Sequence, residues 1–423
     1  MDATPATLRP LNQRRVLRHL LRHGPQSRAR LARHIGLSAP TVGKLVEQMV
    51  DAGLLEYIDS AEQKPPKARG IPASDAAARP EPPGVPRPGR PAHPVGLNAS
   101  QPRFVAIQLG VRHTRIAALS LAEASGVRDD GDDGPWTVRF ATPPTPEQWQ
   151  RQLEQAGEKL HLTDPWGVIV SVPGVVDEQQ GHVLLSPNLH WTERADLPGL
   201  LGSVWSAPVC LVQEIRALAL GHLAAEPEEG PFLLVDFGEG VGGAVVIGEQ
   251  LYEGALPLSG ELGHTPVVGN RRTCGCGQTG CMETLASRAG LLASFSRHLR
   301  HAGQRRWSRL VARVESHGVE PWLARTLDAV GATIAGAINV VGVSRVVITG
   351  SLVELPGCVV EALAERIRGS AMWGRFGTVE VVPAPRRRAA GLVVAGIERI
   401  VYGDRLGLTG QWLAREKTQE VAG

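Results

Sequence analysis

Four side chains constrain this chain more than any others: His264, Cys274, Cys276 and Cys281, the thiols spaced C-x-C-x4-C with glycines between them. Only five cysteines occur in 423 residues, and three of these fall within eight positions. Neutral imidazole and thiolates are the ligands that a four-coordinate Zn2+ prefers, and glycines let a backbone wrap tightly around it. A closed Cys3His shell has no open position, so the spacing predicts a structural Zn2+ and not a catalytic one. Buried or free thiols are the alternative; a disulfide framework does not suit a chain this long and this poor in cysteine. Two carboxylates, Glu261 and Glu283, flank the ligands without being needed as ligands, and a folded metal loop would pin both in space. Cys210 and Cys358 stand among apolar residues and read as core.

The length predicts two or three domains. No apolar run reaches the roughly 18 residues of a membrane helix, and Met1-Asp-Ala-Thr-Pro lacks the basic start and apolar stretch of a secretory signal. With zinc-type cysteines, these features predict a cytoplasmic protein with no membrane partner. Charge is informative once divided. Residues 1–60 carry nine basic and five acidic side chains, so the rest sum to −1 against a total of +3. Basicity confined to one end predicts that this end alone meets a polyanion.

That end reads as three helices and a short strand. The spacing predicts a helix over Asn12–His23, a second over Arg28–Ile35 capped by Ser27, and a third over Ala39–Ala52 capped by Ser38. In the third, Val42, Leu45, Val46 and Met49 recur at helical spacing. Leu54–Ile58 is strand-like. Two short helices joined by Gly36-Leu-Ser38 make a helix-turn-helix. Ser38, Ala39, Thr41 and Lys44 then face outward at the start of the recognition helix, suited to base edges, while arginines such as Arg28 reach phosphates. An ordinary three-helix module with a solvated basic face is the alternative. The run Leu31-Ala-x-x-Ile-Gly-Leu-Ser-x-x-Thr-Val-x-x-Leu-Val resembles winged helix-turn-helix regulators.

Ten prolines lie between Pro65 and Pro94, with no apolar periodicity to bury. Val95-Gly-Leu97 has the look of a strand returning from a wing. The stretch is either an enlarged wing or a plain linker. From Phe104 onward strands and helices alternate with glycine-rich turns, which indicates an α/β protein.

The longer run Gly-Glu261-x-Gly-His264, then Cys274-x-Cys276-Gly-x-x-Gly-Cys281-x-Glu283, resembles the signature of the ROK family (repressors, open reading frames and sugar kinases). The resemblance covers about residues 9–405. It implies a two-lobed actin-like ATPase fold (RNase H-like) behind the winged helix. The expected division is a winged helix-turn-helix domain at 8–60, a Pro-rich wing or linker at 61–98, and a sugar-binding domain with a structural zinc loop at 99–410.

The resemblance also implies sugar contacts at Gly174, Asn188, Gln213, Glu214, Glu261, His264 and Glu283, with His264 shared between metal and ligand. Asn188 is equally well read as a turn residue. Two positions depart from the family's kinases. Their Asp-x-Gly turn, which serves Mg2+, is here Gln108-Leu-Gly110. Their catalytic Asp falls at Glu214, one methylene longer, and a base displaced by about 1 Å can lose roughly 100-fold in rate. The expected function is therefore a sugar-responsive transcriptional repressor, not an enzyme, with Glu214 a vestige of the base. Its partners would be operator DNA, a monosaccharide or sugar-phosphate effector, and further copies of the chain in a homodimer or homotetramer. An ATP-dependent sugar kinase with a DNA-binding extension is the alternative.

Overall fold

A computed structural model describes residues 5–58, 93–125, 134–162, 164–227, 229–248, 250–254, 259–299 and 306–403. The Pro-rich stretch up to residue 92, and most of the Asp/Gly-rich loop after Ser125, lie outside the described residues. The chain divides into two compact units at Gln101/Pro102. No described helix is long and apolar enough to cross a membrane.

The first unit runs α1 (Pro5–His23), α2 (Arg28–Ile35), α3 (Ala39–Asp51), β1 (Leu55–Tyr57) and β2 (Val95–Leu97). Helix α1 begins earlier than the pattern of apolar residues indicates, and at a proline, whose missing N–H costs nothing in a first turn. Ser27 and Ser38 accept hydrogen bonds from the Arg30 and Thr41 amides and so cap α2 and α3. Gly36 ends α2 in the left-handed region at φ 65°, where a side chain would be strained. The apolar faces meet in a core that includes Leu17, Leu20, Leu31, Val42, Val46 and Met49. Each such side chain contributes about 1.5–3 kcal/mol of burial. Strand β2 pairs antiparallel with β1, Leu55 opposite Leu97 and Tyr57 opposite Val95, so the returning strand closes the small sheet of a winged helix.

In the second unit the first lobe is built from β3 (Phe104–Leu109), β4 (His113–Leu119), β5 (Val138–Ala141), α4 (Pro146–Leu160), β6 (Gly167–Val172), β7 (Val175–Asp177), β8 (His182–Leu185), α5 (Leu197–Trp205) and β9 (Val209–Gln213). Its five-stranded sheet has the order β5-β4-β3-β6-β9, with β3, β6 and β9 parallel. Strand β6 is buried along its whole length, as a central parallel strand must be. Trp149, Leu153 and Trp205 pack α4 and α5 onto one face. Helix α6 (Glu214–Ala225) leads out of β9.

The second lobe repeats the plan. It comprises β10 (Phe232–Phe237), β11 (Val241–Ile247), β12 (Gln250–Leu251), α7 (Glu283–Ala286), α8 (Arg288–His298), α9 (Trp307–His317), α10 (Pro321–Val341), β13 (Arg345–Gly350), α11 (Cys358–Ser370) and β14 (Glu380–Pro383). The order is β12-β11-β10-β13-β14, with β10, β13 and β14 parallel. Helix α12 (Arg388–Gly396) then crosses α6. A Cβ on Gly391 would lie 1.7 Å from the Ala217 carbonyl oxygen, and one on Gly221 would lie 1.9 Å from that of Arg387. The two helices thus touch backbone to backbone, which only glycine permits.

One sequence expectation fails here. Cys210 is buried, but Cys358 is exposed. It is the first residue of α11, whose buried face is formed by Val359, Leu363, Ala364 and Ile367.

Candidate functional site

The loop between β12 and α7 is shaped by its glycines. Gly260 stands at φ 88° with its Cα against the Gly243 carbonyl, so close that a Cβ would lie 1.9 Å from that oxygen. Gly277 and Gly280 also adopt positive φ, at 89° and 96°. These turns bring His264, Cys274, Cys276 and Cys281 together, with all four donor atoms within 4.8 Å of one another. Cys276 Sγ lies 3.8 Å from Cys281 Sγ, and Cys274 Sγ lies 3.6 Å from His264 Nδ1. A tetrahedron with Zn–S near 2.3 Å and Zn–N near 2.0 Å has edges of roughly 3.5–3.8 Å, so the donor set fits such an ion. Burial pushes the Cys274 thiol up to about 12, and a bound cation would have to displace that proton.

Sequence reasoning missed what holds this loop to the lobe. The Asn270 amide donates to the Cys281 carbonyl at 3.0 Å and to Thr284 Oγ1 at 2.9 Å. The Arg272 guanidinium donates to the carbonyls of Thr284 and Gly290 and, at 2.7 Å, to Ser294 Oγ.

A cleft of about 800 Å3 opens beside the loop, and Gly174, Asn188, Gln213, Glu214, Glu261, His264 and Glu283 all line it. Gly174 stands at φ 104°, packed against the Leu185 carbonyl, and Pro187 lies against Gly275 of the metal loop. His264 turns Nδ1 to the thiols and Nε2 to Glu261, 3.6 Å from Oε2. Burial raises the Glu261 carboxyl above its ordinary range; His264 and the Gln213 amide, which donates to Oε1 at 2.9 Å, work against this. Glu283 accepts from the Val241 amide at 2.9 Å with Oε2 and faces Cys274 with Oε1, so half of it is spent on holding the β10–β11 turn.

Glu214, the first residue of α6, is not a free carboxylate. Its Oε1 accepts from Arg388 Nη2 at 2.6 Å and Nε at 3.0 Å, and from the Gln108 amide at 3.4 Å. Arg388 is only 3% exposed. Next to it, Arg386 forms a two-pronged pair with Asp236, at 2.7 and 2.9 Å. Burial alone would raise the Asp236 carboxyl; Arg386 and the Thr349 hydroxyl overrule it and hold it below the ordinary range. The Arg386 guanidinium lies against both glycine turns of the second lobe: Cβ atoms on Gly238 and Gly350 would be 2.9 and 2.5 Å from its Nη2. The run Arg386-Arg387-Arg388 after Pro385 was the available sequence signal for these partners. Behind the cleft, Glu178 accepts from the Gln213 amide at 2.7 Å and pairs with Arg216 and Arg399.

In the first unit Ser38, Ala39, Thr41 and Lys44 are exposed at the start of α3. The Ser38 and Thr41 hydroxyls are hydrogen-bonded to each other at 2.7 Å. Arg28 reaches Glu47 at 3.4 Å and lies over the Tyr57 ring.

Among known families, the ROK family matches residues 138–397. The chain belongs to the ROK family. The MarR family matches residues 9–64, which makes the first unit a MarR-type winged helix. The chain is similar to the xylose repressor of Caldicellulosiruptor bescii, at 23% identity over 94% of this chain and 97% of that protein. It is also similar to the xylose repressor of Bacillus subtilis (26%, over 70% and 71%) and to the regulator NagC of Escherichia coli (23%, over 86% of each). The matches to the first three xylose-repressor relatives span between 66% and 97% of their own lengths. Among solved structures, a ROK transcriptional regulator homologous to the MLC protein of Escherichia coli shares the fold with TM-score 0.67 and 19% identity, over 94% of this chain and 97% of that one. A ROK glucokinase from Streptomyces griseus, solved with glucose and AMPPNP, has TM-score 0.56 and 21% identity, over 69% of this chain and 97% of that one. The second unit therefore has the two-lobed actin-like ATPase fold of ROK proteins.

Proposed function

We propose that this ROK protein is a sugar-responsive transcriptional repressor. Its winged helix binds an operator, and a sugar or sugar derivative in the cleft alters that binding. Relatives of similar domain order are named as repressors for xylose and N-acetylglucosamine. The observation that carries the choice of sensor over kinase is the Glu214–Arg388 pair. A general base must accept a proton from the attacking hydroxyl, and Glu214 is already tied to a guanidinium at 2.6 and 3.0 Å. Gln108 also offers no carboxylate for Mg2+, and Arg386 occupies the space between the glycine turns.

His264, Cys274, Cys276 and Cys281 would hold Zn2+, which supplies cross-linking and no open coordination site. Their task is to place Glu261, Glu283 and His264 Nε2 where sugar hydroxyls are recognised. In the first unit, Ala39, Thr41 and Lys44 meet the major groove and Arg28 lies near the DNA backbone. The protein acts as a homodimer or homotetramer, matching two half-sites about one helical turn apart. Ligand and operator influence one another only as far as the ligand binds one conformation more tightly.

The test is a gel shift on the DNA upstream of the protein's own gene, titrated with monosaccharides and their phosphates. Loss of the shift with one of them is expected. ADP release with any of these sugars in the presence of ATP would overturn the sensor reading in favour of a kinase.

A further inference from the structure

A row of side chains crosses the first-lobe sheet at the cleft. Gln108 on β3 is paired with Arg115 on β4 and with Ser171 on β6, and Arg115 is paired with Arg139 on β5. Paired residues share a face of the sheet. The row therefore reads Ser171, Gln108, Arg115, Arg139, with neighbours about 4.8 Å apart between strands. Thr114, next to Arg115, points to the other face, where its hydroxyl accepts from the buried Trp149 indole at 3.0 Å. Gln108, Arg115 and Arg139 all line the cleft.

Three features of this row point to one kind of ligand. Two arginines directly opposite each other repel, a cost that a strand pair does not normally carry. Their planar donor forks suit a tetrahedral oxyanion bound by two or more oxygens. Buried beside them, Gln108 Oε1 and Ser171 Oγ make no hydrogen bond. The cleft is also polarised. Glu261 and Glu283 lie at the metal-loop end. In the middle, Glu214 is neutralised by Arg388, Asp236 by Arg386, and Glu239 by Arg112 at 3.0 Å. Arg115 and Arg139 then set the sign at the β5 end. The two ends belong to one cavity, because Gln108 touches Glu214 and the adjoining Gln213 touches Glu261.

We infer that the effector carries a phosphate, seated against Arg115 and Arg139, on a body whose hydroxyls face Glu261 and Glu283. This rests on the reading of the cleft as a sugar site and narrows it to phosphorylated sugars. The neutral amide of Gln108 fits the same ligand, since a carboxylate there would repel the anion. A nucleotide phosphate has the same chemistry and is separated from a sugar phosphate by the experiment.

The full-length protein is titrated calorimetrically with glucose, glucose 6-phosphate, N-acetylglucosamine, N-acetylglucosamine 6-phosphate, inorganic phosphate and ADP. The same series is run on Arg139→Gln, an exposed position that leaves the fold intact, and on Arg115→Gln/Arg139→Gln. One sugar phosphate should bind at least roughly tenfold more tightly than its parent sugar, the worth of one charge-assisted hydrogen bond. The double substitution should erase that advantage and leave the parent's affinity unchanged. Equal binding of parent and phosphate, or an advantage that survives both substitutions, overturns the inference while the sugar reading stands. Arginine-dependent binding of inorganic phosphate or ADP without any sugar keeps the anion seat but overturns the sugar phosphate and the sugar reading together. No binding in any arm overturns both.

Discussion

Gln213 Nε2 donates a 2.9 Å hydrogen bond to Glu261 Oε1, joining the end of β9 in the first lobe to the metal loop of the second. Gln213 stands at the N-cap of α6 but makes no capping bond with its side chain. The amide is committed across the cleft instead. Gln213→Leu should leave a buried carboxylate short of a donor and cost about 1–2 kcal/mol in urea denaturation. Ligand affinity should fall with it, while operator binding without ligand stays unchanged. Loss of operator binding in this variant would show that the bridge serves the fold and not the cleft.

Removal of the metal is the next expectation. The four donors of the loop are unlike anything else among the described residues, and a closed shell of this kind contributes folding energy directly. Cys276→Ser should lower both the zinc content and the melting temperature, and chelation of the unaltered protein should reproduce the loss. Protein purified without zinc and indifferent to chelators would exclude the metal loop.

Arg388 is the first residue of α12, at the positive end of that helix's dipole, and Glu214 is what makes the position tolerable. Arg388→Met should destabilise the protein by about 3 kcal/mol, because it strands a carboxylate at a desolvated place. Adding Glu214→Gln should recover much of that loss. A double variant as unstable as the single one would mean that Arg388 acts by packing alone.

Lys44 is exposed in the first half of α3. If it neutralises one phosphate, Lys44→Ala should weaken binding evenly across DNA sequences and flatten the dependence of log K on log salt by about 0.9. A change confined to one base-pair position would place Lys44 at a base edge instead.

Glu320 gives a dependence on acidity. Its carboxyl is held at about 2, first by Arg313, which donates twice at 2.6 and 2.9 Å, and also by the Trp322 indole and His298. A depressed carboxylate stabilises the fold above its unfolded pKa, and that stability is lost as pH falls from about 4.5 towards 2. Glu320→Gln should therefore flatten thermal stability over this acid window and lower it at neutral pH. An unchanged acid limb would show that the pair is matched in the unfolded chain.

The metal donors were legible because they are close in sequence, and glycine between thiols permits few other structures. The helices of the winged unit were legible from spacing and caps. What stayed hidden is pairing over distance. Arg388 meets Glu214 across 174 residues, Arg386 meets Asp236 across 150, and Arg399 meets Glu178 across 221. No local pattern announces such partners, since each depends on how two sheets are brought to one cleft. Cys358 was misread for a related reason: an apolar neighbourhood in sequence does not say which side of a helix faces out.

The crossing of α6 and α12 has a mechanical consequence. Glu214 and Arg388 are the opening residues of the two helices, and Gly221 and Gly391 hold them in backbone contact farther along. A pivot made of backbone has no rotamer to rearrange. Displacement of Glu214 by a molecule in the cleft is thus transmitted as a change of angle between two rigid rods, because nothing at the pivot can soften to absorb it.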